Sequence, residues 1–206
     1  MATASLSDND HDRISQAIRE AEAATAGEIY VVIAHAADNF RYVPVIWAAL
    51  AALLVPWPLY FFTPLSVPAI LVIQAMFFII VASVLSHPAI RHRIVPDAIA
   101  AYRARRNAYE QFLAHGVHLT EDRTGVLIYL ALANRRVEII ADVGIHSKVG
   151  PAAWEELARE ITSAARKARL VDGVLNAVRR AGAVLAQHFP PRPDNPNELS
   201  DRVVEI

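Results

Sequence analysis

The chain has 206 residues, a formal net charge of −1 at pH 7, a pI near 6.7 and no cysteine. Disulfides, thiolate zinc sites and cysteine nucleophiles are therefore excluded, and the near-neutral balance argues against nucleic acid as a partner. Hydrophobic residues make up 54% of the chain, against roughly 45–50% in ordinary soluble domains, and the excess is concentrated where no formal charge occurs, between Arg41 and Arg91.

The opening stretch, MATASLSDNDHDR, lacks the basic and apolar runs of a cleavable signal peptide. Ser7 and Asp10 resemble a capping box with aspartate in the usual glutamate position. Ile14, Ala17, Ile18 and Ala21 come next, at helical spacing. Residues 27–34, GEIYVVIA, are β-branched and aromatic and predict a strand. One helix and one strand cannot close a core, so both are expected to pair with the chain beyond the apolar stretch.

A transmembrane helix needs about 20 mostly apolar residues. Residues 43–62 and 67–86 each supply such a run, with TPLS between them. Pro56, Pro58, Pro64 and Pro68 predict a break and a tight reversal, because proline lacks a backbone donor and restricts the residue before it. Trp57 and Tyr60 near the tip suit a membrane interface. Arg41 precedes the first span, and Arg91, Arg93, Arg103, Arg105 and Arg106 lie beyond the second, while the tip carries no Lys or Arg. The positive-inside rule then predicts a multi-pass protein of the inner (cytoplasmic) membrane with both termini cytoplasmic. The lipid bilayer is the first expected partner. His87, Arg91, His92 and Arg93 could meet anionic headgroups, Gln74 could bond between helices, and the small residues Ala48, Ala49, Ala51 and Ala52 leave a homo-oligomer possible.

Beyond the second span, Pro96 opens a predicted helix reaching about residue 115. Residues 125–132 are nearly continuous apolar and suit a central strand. Residues 137–141 form a second strand, joined to the first through Ala133, Asn134 and Arg135 as an antiparallel hairpin. Gly150 and Pro151 start a helix with Trp154, Leu157, Ala158, Ile161 and Ala165 as its core face. A last helix is expected from near Asp172, and the proline-rich tail is expected to be flexible. The divisions are residues 1–41 and 91–189 as two parts of one domain, 42–90 as the hairpin and 190–206 as the tail.

The segments LSDNDHDRISQAIREAEAATAGEIYVVIA and HGVHLTEDRTGVLIYLALANRRVEIIADVGI, with residues 154–189, resemble the TPM domain family. They are most similar to its bacterial membrane branch, in which a two-helix hairpin interrupts the domain after its first strand. The resemblance implies an α/β fold: a small mixed sheet sandwiched by helices and interrupted by a transmembrane hairpin. Some members bind calcium and are described as acid phosphatases that use acidic loop residues around the central strands. Where such members resemble Asp-Asn-Gly before the central strand, this chain has Arg123, Thr124 and Gly125; where they place a glutamate after the next strand, it has His146. Glu121, Asp122 and Asp142 remain as the candidate metal ligands, with calcium the implied ion.

The eight histidines are scattered without HExxH spacing, although His115 and His118 lie three apart. Arg135 and Arg136 could hold an anion or a lipid headgroup. No glycine-rich phosphate loop, no GxSxG and no nucleophile with its base occurs. The sequence therefore reads as a membrane-anchored TPM-like domain acting as a non-enzymatic interaction or assembly factor for another membrane protein. The alternative is a calcium-dependent, acid-phosphatase-like hydrolase.

Overall fold

A computed structural model describes residues 6–36, 40–87, 90, 94–134, 136–167, 169–192 and 194–206. In chain order its elements are α1 (Asp8–Glu22), β1 (Glu28–Ala34), α2 (Tyr42–Leu54), α3 (Pro56–Phe62), α4 (Val67–Leu85), α5 (Asp97–Ala114), a 3-10 turn (Val117–Leu119), β2 (Gly125–Ala131), β3 (Arg136–Ala141), α6 (Val143–His146), α7 (Pro151–Arg166), α8 (Leu170–His188) and β4 (Val204–Glu205). They fall into two compact units, Met1–Ala37 with Ala101–Ile206, and Asp38–Ala100.

The first unit is a four-stranded mixed sheet in the order β3-β2-β1-β4. β1 runs parallel to β2 and to β4, and β2 pairs antiparallel with β3. All of β1 and β2 is buried, as a near-continuous apolar strand requires when both faces of its sheet are covered. The strand period of two divides the core cleanly. Ile29, Val31, Ile33, Val126, Ile128 and Leu130 pack with the apolar faces of α1, α7 and α8. Tyr30, Val32, Ala34, Leu127, Tyr129 and Ala131 pack with Ala104, Ala108 and Phe112 of α5. Helices thus cover both faces, and the α/β sandwich implied by the resemblance is the fold observed.

Local chemistry explains where the elements begin. Ser7 caps α1: its hydroxyl accepts from the Asp10 N–H at 3.2 Å, and the Asp10 carboxylate reaches back to the Ser7 N–H. Pro151 stands in the first turn of α7 behind Gly150, where its missing N–H costs no hydrogen bond.

The tail, expected from its composition to be flexible, packs along the domain. The Asn195 side chain donates to Thr25 O at 3.1 Å, Leu199 N–H donates to Glu28 Oε2 at 3.2 Å, and Val203 is buried. β4 then joins the sheet: Ile206 N–H donates to Ile33 O, and His35 N–H to Ile206 O. Glu205 Oε1 accepts from Leu6 N–H and lies 3.2 Å from His11 Nε2. Proline and polar composition describe the tail's first half, but its closing VVEI supplies β-branched side chains and a backbone that pairs with the otherwise open edge of β1.

The second unit contains α2, α3 and α4. Tyr42–Phe62 and Val67–Leu85 are each long and apolar enough to cross a membrane, and most of their large side chains face outward, Leu54, Phe62 and Val72 among them. Ala48 and Ala52 on α2 and Ile70 on α4 are buried where the two helices pack, small side chains permitting the close approach. Half of the alanine stripe is thus used inside the hairpin, whereas Ala49 is exposed. Phe40, Val43 and Ala100 make a small core with Ile94, Val95 and Ile99, and the Trp47 indole donates to Ile94 O at 3.2 Å. The reversal lies at residues 63–66, with Thr63 and Ser66 extended. Pro56 and Pro58 do not form part of it. They stand in the first turn of α3, Val55 before them stays helical, and the N–H groups they lack are those a helix start leaves unpaired.

Candidate functional site

The three predicted acids lie on two loops at one end of the sheet. Leu119 leads into a turn in which Arg123 N–H donates to Thr120 O, Thr124 N–H donates to Thr120 Oγ1 at 3.0 Å, and Thr124 Oγ1 donates to Ala26 O at 3.0 Å. Arg123 takes the left-handed conformation, φ 58°, which is uncommon for a residue with a side chain. The second loop comes after β3. Asp142 N–H donates to Gly125 O, and Asp142 Oδ1 accepts from Val143 N–H at 2.7 Å to cap α6. The loops touch through backbone: Gly144 N–H donates to Arg123 O, and a Cβ on Gly144 would stand 2.4 Å from Asp122 O. The fold therefore brings Glu121, Asp122 and Asp142 into one region.

Each of the three carboxylates has an arginine. Asp142 is 5% exposed, with Arg123 Nε 3.0 Å from its Oδ2. The contact is one of charge, since Oδ2 receives no aligned hydrogen bond. Arg192, from the tail, reaches both other acids, at 3.2 Å from Glu121 Oε2 and 2.5 Å from Asp122 Oδ2. Glu121 N–H also donates to Glu198 Oε2 at 2.8 Å. Among the described residues no group of three or more His, Asp or Glu side chains is arranged to hold a metal ion. The hydroxyls at this end of the sheet serve the backbone, Thr124 donating to Ala26 O and Thr25 to Phe189 O.

Of the histidines, His115 lies against Tyr30 with the two rings tilted, its Nδ1 3.1 Å from the phenol oxygen and its Nε2 3.1 Å from Gln111 Oε1. His118 Nδ1 is buried without a hydrogen-bond partner, beside the Phe112 ring. His115 and His118 thus face different partners rather than a shared ligand. The Arg91, His92, Arg93 and Arg135 expectations lie outside the described residues.

A second group of acids has no local signature in the sequence. Glu22 at the end of α1, Glu28 at the start of β1, and Glu198 and Asp201 in the tail converge. Burial pushes the Glu22 carboxyl up to about 8; the Ile29 N–H, which Oε1 accepts at 2.8 Å, opposes this, and the Glu28 and Asp201 charges add to it. Burial also raises Glu28, against the N–H groups of Glu198 and Leu199. On β3, burial raises Glu138, opposed by Arg105 and Arg136.

A mixed sheet between two helical layers, a helical hairpin in the chain between its first two strands and an acidic loop pair at one end make up an α/β fold. The chain contains a stretch, residues 87–184, that matches the family model described as the TPM domain. The NMR structure of the BA42 protein from the psychrophilic bacterium Bizionia argentinensis has the same fold, with a TM-score of 0.63 at 18% identity over 100% of this chain and 99% of that one. No curated protein matches the sequence.

Proposed function

We propose that the chain is a TPM module held in the cytoplasmic membrane by α2–α4, with both termini in the cytoplasm, and that it binds or assembles another protein rather than hydrolysing a phosphoester. The observation that carries this reading is the pairing of every candidate acid with arginine. Calcium takes about six to eight oxygen ligands, several from carboxylates. Here one oxygen of Asp142 is committed to the Val143 N–H and the other to Arg123, while Arg192 holds Glu121 and Asp122. Two guanidinium groups supply the positive charge that an ion would bring, so the donor set does not suit calcium. The anchor is supported by two helices long and apolar enough to span, and the orientation by Arg41 and the arginines of α5.

Hydrolysis of a generic phosphate ester, with and without calcium, tests the reading in the purified full chain, in Asp142→Asn and in an Arg123→Ala/Arg192→Ala double variant. No calcium-dependent turnover is expected in any of them. Arg192→Ala alone should cost under about 1 kcal/mol in a denaturant titration, because exposed ion pairs contribute little. Turnover that needs calcium and falls in Asp142→Asn would replace the module with a hydrolase.

A further inference from the structure

The two faces of α5 differ in an unusual way. Ala104, Ala108 and Phe112 recur every four residues and pack on the sheet with Tyr30, Leu127 and Tyr129. On the outward side Tyr102, Tyr109 and Leu113 recur at intervals of seven and four, which makes one stripe on a helix of 3.6 residues per turn. They are 65%, 46% and 58% exposed. Among the described residues of the sheet unit, six large hydrophobic side chains are exposed, and half of them stand in this stripe. A helix packed on a sheet ordinarily turns charged and polar residues to water; α5 turns two phenols and a leucine.

Arginines flank the stripe. Arg105 and Arg106 are exposed on either side of it. The Arg105 guanidinium stands 5.9 Å from the centre of the Tyr109 ring, and Arg106 Nε lies 2.9 Å from Glu110 Oε1. Arg105 also lies near the half-buried Glu138 of β3. With Arg103, residues 102–113 hold three arginines against one glutamate, a formal charge of +2. This composition matches a cytoplasmic membrane surface, where amphipathic rings sit at headgroup level and basic groups meet anionic lipid. The second membrane-length helix ends at Leu85, seventeen residues before Tyr102, and a tether of that length spans at most about 60 Å. A chain anchored there presents the stripe to the bilayer at an effective concentration on the order of millimolar.

We propose that the outward face of α5 rests on the anionic cytoplasmic surface of the bilayer, with Tyr102, Tyr109 and Leu113 entering the headgroup boundary and Arg105 and Arg106 meeting lipid phosphate. A second copy of the chain is the poorer occupant. Three side chains of at most about 250 Å² each, roughly half exposed, offer far less than the roughly 800 Å² per partner that a specific protein interface buries. A bilayer sets no such minimum, because the spans already hold the chain beside it. The inference rests on the membrane anchor proposed above.

Lipid-quenched fluorescence of the full chain in vesicles tests it. The chain has no cysteine, so Leu113→Cys on the stripe, Val72→Cys on α4 and Arg179→Cys on α8, in the opposite helical layer, can each carry one environment-sensitive dye at an exposed position. The vesicles are phosphatidylcholine mixed with phosphatidylglycerol, with and without lipids bearing a spin-label quencher near the headgroup or deep in the tail. Residue 72 should be quenched by the deep label, residue 113 by the shallow one, as a helix face buried about 5–10 Å requires, and residue 179 by neither. Arg105→Gln with Arg106→Gln should lower the docked-to-lifted ratio at residue 113 by about fivefold per arginine, and vesicles of phosphatidylcholine alone or high salt should act in the same direction. Quenching at 72 without quenching at 113, equal quenching at 113 and 179, or quenching at 113 that ignores both arginines and lipid charge would each overturn the proposal and leave the anchor standing. A dye at 113 that is shielded from water in detergent as well, with no quenching by lipid, would assign the face to a second copy and overturn it too. Residue 72 unquenched would overturn the anchor and the proposal together, so the two failures are distinguishable.

Discussion

Glu22→Gln should raise the melting temperature of the protein at pH 8 and change it little at pH 5. The folded-state pKa of Glu22 is about 8, against an ordinary value of 4.5. Below the ordinary value the carboxyl is protonated in folded and unfolded chains alike, and it contributes no pH dependence. As pH rises from there to about 8, the unfolded chain has released the proton and the folded one still holds it, so stability falls with pH. Above about 8 the whole cost of a buried carboxylate is present. A shift of this size corresponds to roughly 5 kcal/mol at most. Partial exposure of the side chain lowers the expected gain to about 2 kcal/mol, or roughly 4–8 °C for a chain of this length. Glutamine retains an oxygen to accept the Ile29 N–H and removes only the charge. Thermal unfolding tracked by circular dichroism at the two pH values measures this. An equal gain at both would show that ionisation is not the cause.

Gly125→Ala should be the most damaging of the small substitutions. A Cβ there would stand 2.2 Å from the carbonyl oxygen of Val117 and 2.7 Å from its Cγ1. Val117 is completely buried, so neither atom can swing aside. Gly125 also opens β2, pairs with Glu28 and accepts the Asp142 N–H, so a backbone shift propagates into both strands and the acidic loop. A loss of roughly 3 kcal/mol or more is expected, the upper end for overpacking. Gly150→Ala is the control, because nothing lies within 4 Å of a Cβ at that position and its φ of −65° suits any residue. Denaturant midpoints of the two variants separate the accounts. Gly125→Ala as stable as Gly150→Ala would mean that the Val117 turn yields.

The parts of this fold legible in the sequence are those whose cause is local. The Ser7 cap, the buried strands 28–34 and 125–131, the β2–β3 hairpin and the proline-led α7 each arise from a few neighbouring residues. The TPM resemblance adds the mixed sheet and the helices on both of its faces. Features that the sequence hides depend on partners distant in the chain. The tail reads as mobile because proline and polar residues dominate it, and only the exposed edge of β1 gives Val204 a strand to join. Arg192 is invisible as a partner of Glu121 and Asp122 for the same reason. Glu22 and Asp201 carry no shared motif, yet burial and mutual repulsion produce the largest raised carboxyl in the domain among the described residues. Pro56 and Pro58 have the look of helix breakers, whereas a first helical turn has no N–H bonds for them to break.

The most direct test of the membrane-held module uses the absence of cysteine from the chain, which lets a single introduced thiol report its own location. Leu65→Cys marks the tip between α3 and α4, and Arg179→Cys marks an exposed position on α8. Each is expressed in a bacterial host and treated in intact spheroplasts with a membrane-impermeant maleimide. The expected result is labelling at residue 65 in intact spheroplasts and at residue 179 only after lysis, with both proteins in the membrane fraction. Labelling of residue 179 in intact spheroplasts, or recovery of the chain in the soluble fraction, would contradict the account.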